Sequence, residues 1–281
     1  MSKFLLIKLI KKLCLGISFA LISAHLFFQS SFLDHNWIHP NSIQTYGSGI
    51  TKEEFNEDLL FLNSYKKLKK YFLEEINEKK SSKLDSVIYA DKLLRERFYH
   101  QNTNIQLNDN WFLYVFNFFS SNRNNSIYLS SLNPDYILKF NGAICNQQAL
   151  IFQALMREIE IEYQSVLFNI TNSPESFGHF SSAVLVDGNW LFVDTNLEPL
   201  YDLKDSTILK RLLNSDTSLF NSMYPENTVQ EIPNGSIWLS SKNKNPAIMG
   251  RIFQDICYFI SYYAWILFFV IYLILRSISR E

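Results

Sequence analysis

Three residues of the 281-residue chain have the types and order that nucleophilic catalysis needs: Cys145, His179 and Asp194. Cys145 opens an apolar stretch of helical spacing just after Asn141-Gly142. A thiol at a helix N-terminus feels the positive end of the macrodipole and a set of unpaired backbone N–H groups. That setting favours the thiolate, the form that attacks carbonyls, and the same N–H groups suit an oxyanion. The histidine and the aspartate follow 34 and 49 residues later, at the start and near the end of two stretches that alternate as strands do. Together they supply a nucleophile, a general base and a carboxylate that orients the imidazole. Taken singly, each has a plain structural role: a small cysteine in a helix–sheet contact, a polar histidine at a strand start, an aspartate that ends a strand.

The elements that must hold these residues follow from periodicity. Ile144, Leu150, Ile151, Leu155 and Ile159 predict an apolar helix, and residues 165–170 predict a strand. Residues 179–186, an Asp187-Gly188 turn and residues 189–195 predict a hairpin with a two-residue loop. In that hairpin Val186 faces Asn189, so cross-strand partners have numbers summing to 375 and Asp194 lies opposite Ser181. His179, two residues from Ser181, then shares a sheet face with Asp194. Such a diagonal pair has Cα atoms roughly 7–8 Å apart, within reach of an Asp–imidazole hydrogen bond. A three-residue loop would throw His179 to the opposite face. Upstream, Thr51 and Glu54 have capping-box spacing and predict a helix to about Asn77, and a second amphipathic helix runs to about Tyr99. Residues 111–119 predict a core helix, Pro134 a short helical turn, and residues 206–213 another helical stretch, followed by polar coil. Helices, then a helix feeding an antiparallel sheet, are an α+β order.

Composition narrows the function. A formal net charge of -1 offers no field for nucleic acid, so no nucleic-acid partner is expected. Of three cysteines, Cys14 and Cys257 fall within apolar runs, leaving Cys145 alone in the body; this excludes a disulfide framework or cysteine zinc cluster there. His35 and His39 have i,i+4 spacing but no evident third ligand, and Pro40 limits any helix, so no metal site is predicted. Asn124, Asn169 and Asn234 head Asn-x-Ser/Thr triplets, which matter only in a host that glycosylates.

The chain ends read as membrane segments. Residues 13–33 and 256–275 are charge-free runs, each close to the ~20 apolar residues of a spanning helix. Lys3, Lys8, Lys11 and Lys12 precede the first, while residues 34–46 carry no Lys or Arg. The positive-inside rule then predicts a cytoplasmic tail (1–12), a transmembrane helix or signal anchor (13–33), a linker (34–50), a body (51–250), a second transmembrane helix (253–275) and a cytoplasmic tail (276–281). A cleaved signal peptide shares the N-terminal pattern, and the length of the run favours an uncleaved anchor. Both termini are thus expected in the cytoplasm and the body in the periplasm or outside the cell, with the bilayer as a partner.

The stretch from Asn141-Gly142 through Cys145 and its helix, then Gly178-His179, then Asp187-Gly188-Asn189-Trp190 and Val193-Asp194-Thr195, resembles the transglutaminase-like superfamily of papain-like thiol enzymes. The resemblance covers about residues 85–200. It implies a papain-like core, with the nucleophile helix packed on an antiparallel sheet, and casts Cys145 as nucleophile, His179 as base and acid, and Asp194 as orienting acid. The function implied is hydrolysis of peptide or isopeptide bonds, or acyl transfer, on a protein or peptide substrate. No cofactor is required, and calcium stays open. Many members have Trp two residues after the His, where this chain has Ser181. An upstream side chain often completes the oxyanion hole in this fold, and Asn110 or Trp111 is the candidate; Gln147, Gln148 and Glu198 are candidates for the cleft wall. Two other classes fit the same residues. One is a catalytically silent transglutaminase-like scaffold of a membrane assembly handling peptides or surface polysaccharide. The other is an assembly protein with membrane-protein partners, whose apolar helices are the functional part.

Overall fold

The computed structural model describes residues 3–29, 55–101, 103–120, 129–171, 177–197, 199–245 and 247–278. The linker at 34–50, the Thr51–Glu54 cap, His35, His39, the loop at 122–126 and Glu198 lie outside the described residues. Within them the chain is α+β, with ten α-helices and one four-stranded antiparallel sheet. It divides into two compact units: Met1–Ser42 with Asn104–Ser130 and Met249–Glu281, and Ile43–Thr103 with Ser131–Ile248.

The second unit carries Cys145, His179 and Asp194. It begins with a 3-10 turn at Glu57–Phe61 and helix α2 at Tyr65–Glu78, where one continuous helix is expected. Asn63-Ser64 interrupts it: the Ser64 side chain accepts the Lys67 N–H, restarting the chain as a new helix. Helix α3, Lys83–Arg97, opens with a reciprocal cap between Ser82 and Asp85. Its end is tied down by the buried Arg97 guanidinium, which donates to the carbonyls of Leu62, Leu138 and Phe140. Helix α5, Pro134–Ile137, has proline in its first turn, where no N–H is missed.

Helix α6, Cys145–Glu158, is buried along most of its length. Ile151, Phe152, Leu155 and Met156 pack into one core with Val87, Ala90 and Leu94 of α3 and with Val184, Val186, Leu191 and Val193 of the sheet. Gln153 pins the helix by donating to Ser165 Oγ at 3.1 Å and Ser182 Oγ at 3.0 Å. The sheet is ordered β3-β2-β1-β4, with β1 at Tyr163–Ile170, β2 at Phe177–Val186, β3 at Asn189–Val193 and β4 at Ile237–Leu239. Its opposite face forms a second core, in which Val166, Phe168, Ala183 and Phe192 meet helices α7 (Ile208–Leu213) and α8 (Thr217–Met223). The segment read as polar coil after residue 213 thus holds a helix and the edge strand β4, which pairs with β1.

The first unit contains α1 at Lys3–Gln29, α4 at Trp111–Phe119, and the C-terminal pair α9 at Ile248–Tyr262 and α10 at Ala264–Ile278. Helix α1 packs along α10, and Ser18 Oγ donates to the Trp265 carbonyl at 3.0 Å. Only half of α4 is core: Trp111, Leu113 and Tyr114 are buried, while Phe118 and Phe119 are 63% and 78% exposed.

The expectation of two membrane-spanning helices is corrected here, and with it the placement of the termini and body that rested on it. Among the described residues no single helix is long and apolar enough to cross a membrane. The described part of the first run lies on the helix Lys3–Gln29, whose opening turns carry Lys8, Lys11 and Lys12. The second run breaks at Tyr263 into two helices of 15 residues bent by 58°, and only that pair taken together has the length and apolarity of a span.

Candidate active site

The hairpin between β2 and β3 has the two-residue loop its sequence predicts. Asp187 and Gly188 have φ of 48° and 80°, as a type I′ turn requires, and Val186 pairs with Asn189 and Ser182 with Val193. His179, in β2, and Asp194, one residue beyond β3, therefore share a face. His179 Nε2 and Asp194 Oδ2 are 2.7 Å apart, with both residues buried.

The Asp194 carboxylate is fully engaged. Oδ1 accepts the backbone N–H groups of Asn196 at 3.1 Å and Leu197 at 3.4 Å. Oδ2 accepts the Tyr224 hydroxyl at 2.7 Å as well as the imidazole. Burial works against the carboxylate, yet His179, Tyr224 and the Asn196 N–H hold it below its usual range, so it is ionised at neutral pH. An ionised carboxylate only accepts, so His179 Nε2 carries a proton and Nδ1 is the nitrogen left for another partner. The Cys145 side chain also meets this imidazole. Burial alone would lower the affinity of His179 for a second proton; Asp194, and after it Cys145, outweigh burial and push the imidazole up to about 10.

Cys145 is half-buried as the first residue of α6. The backbone N–H groups of Gln147 and Gln148 both turn back to the Ile144 carbonyl, while those of Cys145 and Asn146 make no hydrogen bond among the described residues. Two free donors beside a thiol are the arrangement an oxyanion uses. The approach to the helix is a strap. Gly142 pairs in parallel with Tyr99, with the Tyr99 N–H donating to the Asn141 carbonyl at 2.8 Å and Ala143 N–H to the Tyr99 carbonyl at 2.9 Å. A Cβ at residue 142 would lie 2.7 Å from Gln101 Cβ, so only glycine permits this approach.

Gln147 is fully buried and lines no cleft. Its Oε1 accepts the N–H groups of Thr103 and Ile144, and its Nε2 donates to the carbonyls of Thr103 and Ser131, bracing the helix start. Gln148 is also buried and donates to the Ala143 carbonyl at 3.1 Å. Asn110 and Trp111 belong to the first unit, and their polar groups are engaged there. Asn110 Nδ2 donates to the Gln254 carbonyl, Asn110 Oδ1 accepts the Leu113 N–H and the Ser261 hydroxyl, and Trp111 Nε1 donates to the Ser261 carbonyl. Among the described residues there is no group of His, Cys, Asp and Glu fit to hold a metal ion.

Three contributors escape a reading of the sequence. Tyr224 lies 30 residues beyond Asp194 in a stretch without a motif. Asn196 donates to the Ala143 carbonyl at 3.3 Å and so links the loop after Asp194 to the loop before Cys145. His100 rides on the strap next to Tyr99, facing Asn196; burial, then the charge of His179, push it below its usual value. The one available signal for His100 was its place next to the aromatic pair that ends α3. No protein-family model, curated protein or solved structure matches the chain.

Proposed function

We propose that this protein is a cysteine enzyme of the transglutaminase-like, papain-like type that acts on amide bonds of peptides or proteins through a covalent thioester. The observation that carries this reading is the 2.7 Å His179–Asp194 bond with the Cys145 side chain against the same imidazole. Support also comes from α6 packing through Gln153 on an antiparallel sheet and from the free N–H groups of Cys145 and Asn146.

In the reaction so read, the thiol proton already rests on His179, which faces the sulfur as imidazolium, and the sulfur attacks the amide carbonyl carbon. The C–S bond forms as the carbonyl electron pair moves onto oxygen, where the two N–H groups meet the charge. On collapse the C–N bond breaks, and the departing amine takes its proton from His179. Water or a second amine then attacks the thioester and gives a proton to His179, which keeps it as the C–S bond breaks and the sulfur leaves. Asp194 keeps the imidazole in the tautomer and orientation that both halves use. The steps call for no cofactor.

The test uses p-nitrophenyl acetate, which needs no knowledge of the natural substrate, with mass spectrometry of the intact chain. Near neutral pH a single acetyl adduct on Cys145 is expected, formed faster than on a free cysteine and lost in His179→Gln. Labelling at the rate of a free thiol, or undiminished labelling in His179→Gln, would overturn the reading.

A further inference from the structure

The active-site carboxylate oxygen that bonds the histidine has a second donor whose role the reaction above does not use. Tyr224 Oη lies 2.7 Å from Asp194 Oδ2, the oxygen that His179 Nε2 meets at the same distance. The residue is buried at the end of α8, with its ring 6.1 Å from the His179 ring and 5.1 Å from that of Phe220. The same helix end takes hold of the acid loop a second time, because the Leu200 N–H donates to the Met223 carbonyl at 3.0 Å. Helix α8 itself is fixed at its start by Asp216, which caps Leu219 N–H at 2.9 Å and pairs with Arg211.

A hydrogen bond donated to a carboxylate stabilises its charged form and draws charge from the other bonds that oxygen makes. An imidazole tied to an unshared buried carboxylate holds its proton tightly and is a poor acid toward a leaving amine. We propose that Tyr224 is a positioning residue of this site: its hydroxyl holds Asp194 Oδ2 in place and shares that oxygen with His179, so the imidazolium gives up its proton more readily than a carboxylate with one such donor would allow. The role rests on the cysteine-enzyme reading above, and it assigns a purpose to the segment beyond β3. Burial and the Asp194 charge hold the phenol well above its ordinary value, so it stays a donor throughout the range in which the site works. Among the described residues, the ionisable groups that also face His179 or its acid include Cys145 from α6, His100 from the strap, and Tyr201. Tyr201 donates to the Phe192 carbonyl at 2.8 Å and meets the Asp194 backbone, not its carboxylate.

The experiment is a titration of the His179 imidazole by 15N NMR in the full chain, with the resonance identified by its loss in His179→Gln. Tyr224→Phe keeps the ring in its aromatic pocket and removes only the hydroxyl; the His179 titration is expected to move up by about one pH unit. Tyr201→Phe removes a neighbouring buried hydroxyl that does not touch the carboxylate, and should leave it in place. Should Tyr224→Phe not fold, 3-fluorotyrosine at position 224, a more acidic phenol and a stronger donor, should move the titration down. An unmoved or lowered titration in Tyr224→Phe, an equal rise in Tyr201→Phe, or no response to the fluorinated residue would overturn the proposal. Acetylation of wild-type Cys145 by p-nitrophenyl acetate, measured alongside, reports on the cysteine-enzyme reading independently of these shifts.

Discussion

Each unit of this protein buries a polar cluster, and the two clusters differ in kind. In the first unit Asn110, Trp111, Ser261 and Gln254 join α4 to α9 through amide, indole, hydroxyl and backbone groups; Gln254 also reaches the Ser130 carbonyl at 2.7 Å. None of those side chains changes charge between pH 2 and 12, and the bonds serve to satisfy buried donors and acceptors. In the second unit Cys145, His179, Asp194, Tyr224 and His100 all carry ionisable groups, and they stand in a chain of contacts that ends on a half-buried sulfur. Burial of hydrogen-bonded neutral groups holds helices together; burial of coupled ionisable groups against an accessible nucleophile sets up proton transfer.

Breaking the second cluster should remove chemistry and little stability, and breaking the first should do the reverse. The largest effect is expected from Cys145→Ala, which abolishes acetylation by p-nitrophenyl acetate while changing the unfolding free energy by no more than about 1 kcal/mol. A variant that unfolds instead would make Cys145 a packing residue. Asp194→Asn comes next. A neutral amide in place of the carboxylate no longer holds the imidazolium or its tautomer, and acetylation should fall by about 10²–10⁴ in a stopped-flow comparison.

The pH dependence of stability sharpens the contrast. His179 binds its proton more tightly folded than unfolded, so its contribution is complete below the unfolded value of about 6.5 and is lost as pH rises through about 10. Asp194 works the other way: its contribution is present above the ordinary carboxylate range and is lost as pH falls through its depressed folded value. Urea unfolding between pH 6 and 10 should therefore show wild type losing stability relative to His179→Gln, and parallel curves would contradict the His179 assignment. The smallest effect is reserved for the first unit. Ser261→Ala strands the Phe112 N–H that Ser261 Oγ accepts at 3.1 Å and should cost about 1–3 kcal/mol, with the acetylation rate of Cys145 unchanged.

The shared face of His179 and Asp194 was legible because hairpin geometry is local. Asp187-Gly188 dictates a turn with positive φ, the turn dictates register, and alternation does the rest. The start of α6 was legible for the same reason, as was its burial, written in an almost unbroken apolar face. The break at Asn63-Ser64 could have been read from the capping serine, but the apolar spacing runs through it and masks it. Length and apolarity alone suggested a second spanning helix, since nothing in that run marks the bend at Tyr263.

The residues by themselves thus determined the α+β order, the helix that Cys145 opens, the parity of the hairpin, and the pairing of His179 with Asp194, all set by backbone stereochemistry over a few neighbouring positions. Only the tertiary structure decided what surrounds them. It placed Tyr224 on the Asp194 oxygen from a helix 30 residues away, set Asn196 between the loops that carry Asp194 and lead to Cys145, and laid the Tyr99–Gln101 strap against Gly142. It also turned Gln147 inward as a brace and left Asn110 and Trp111 bonded within the other unit. Those contacts join segments far apart in the chain, and their partners are chosen by which buried donor lacks an acceptor once the helices and sheet have packed, a condition that no local pattern records.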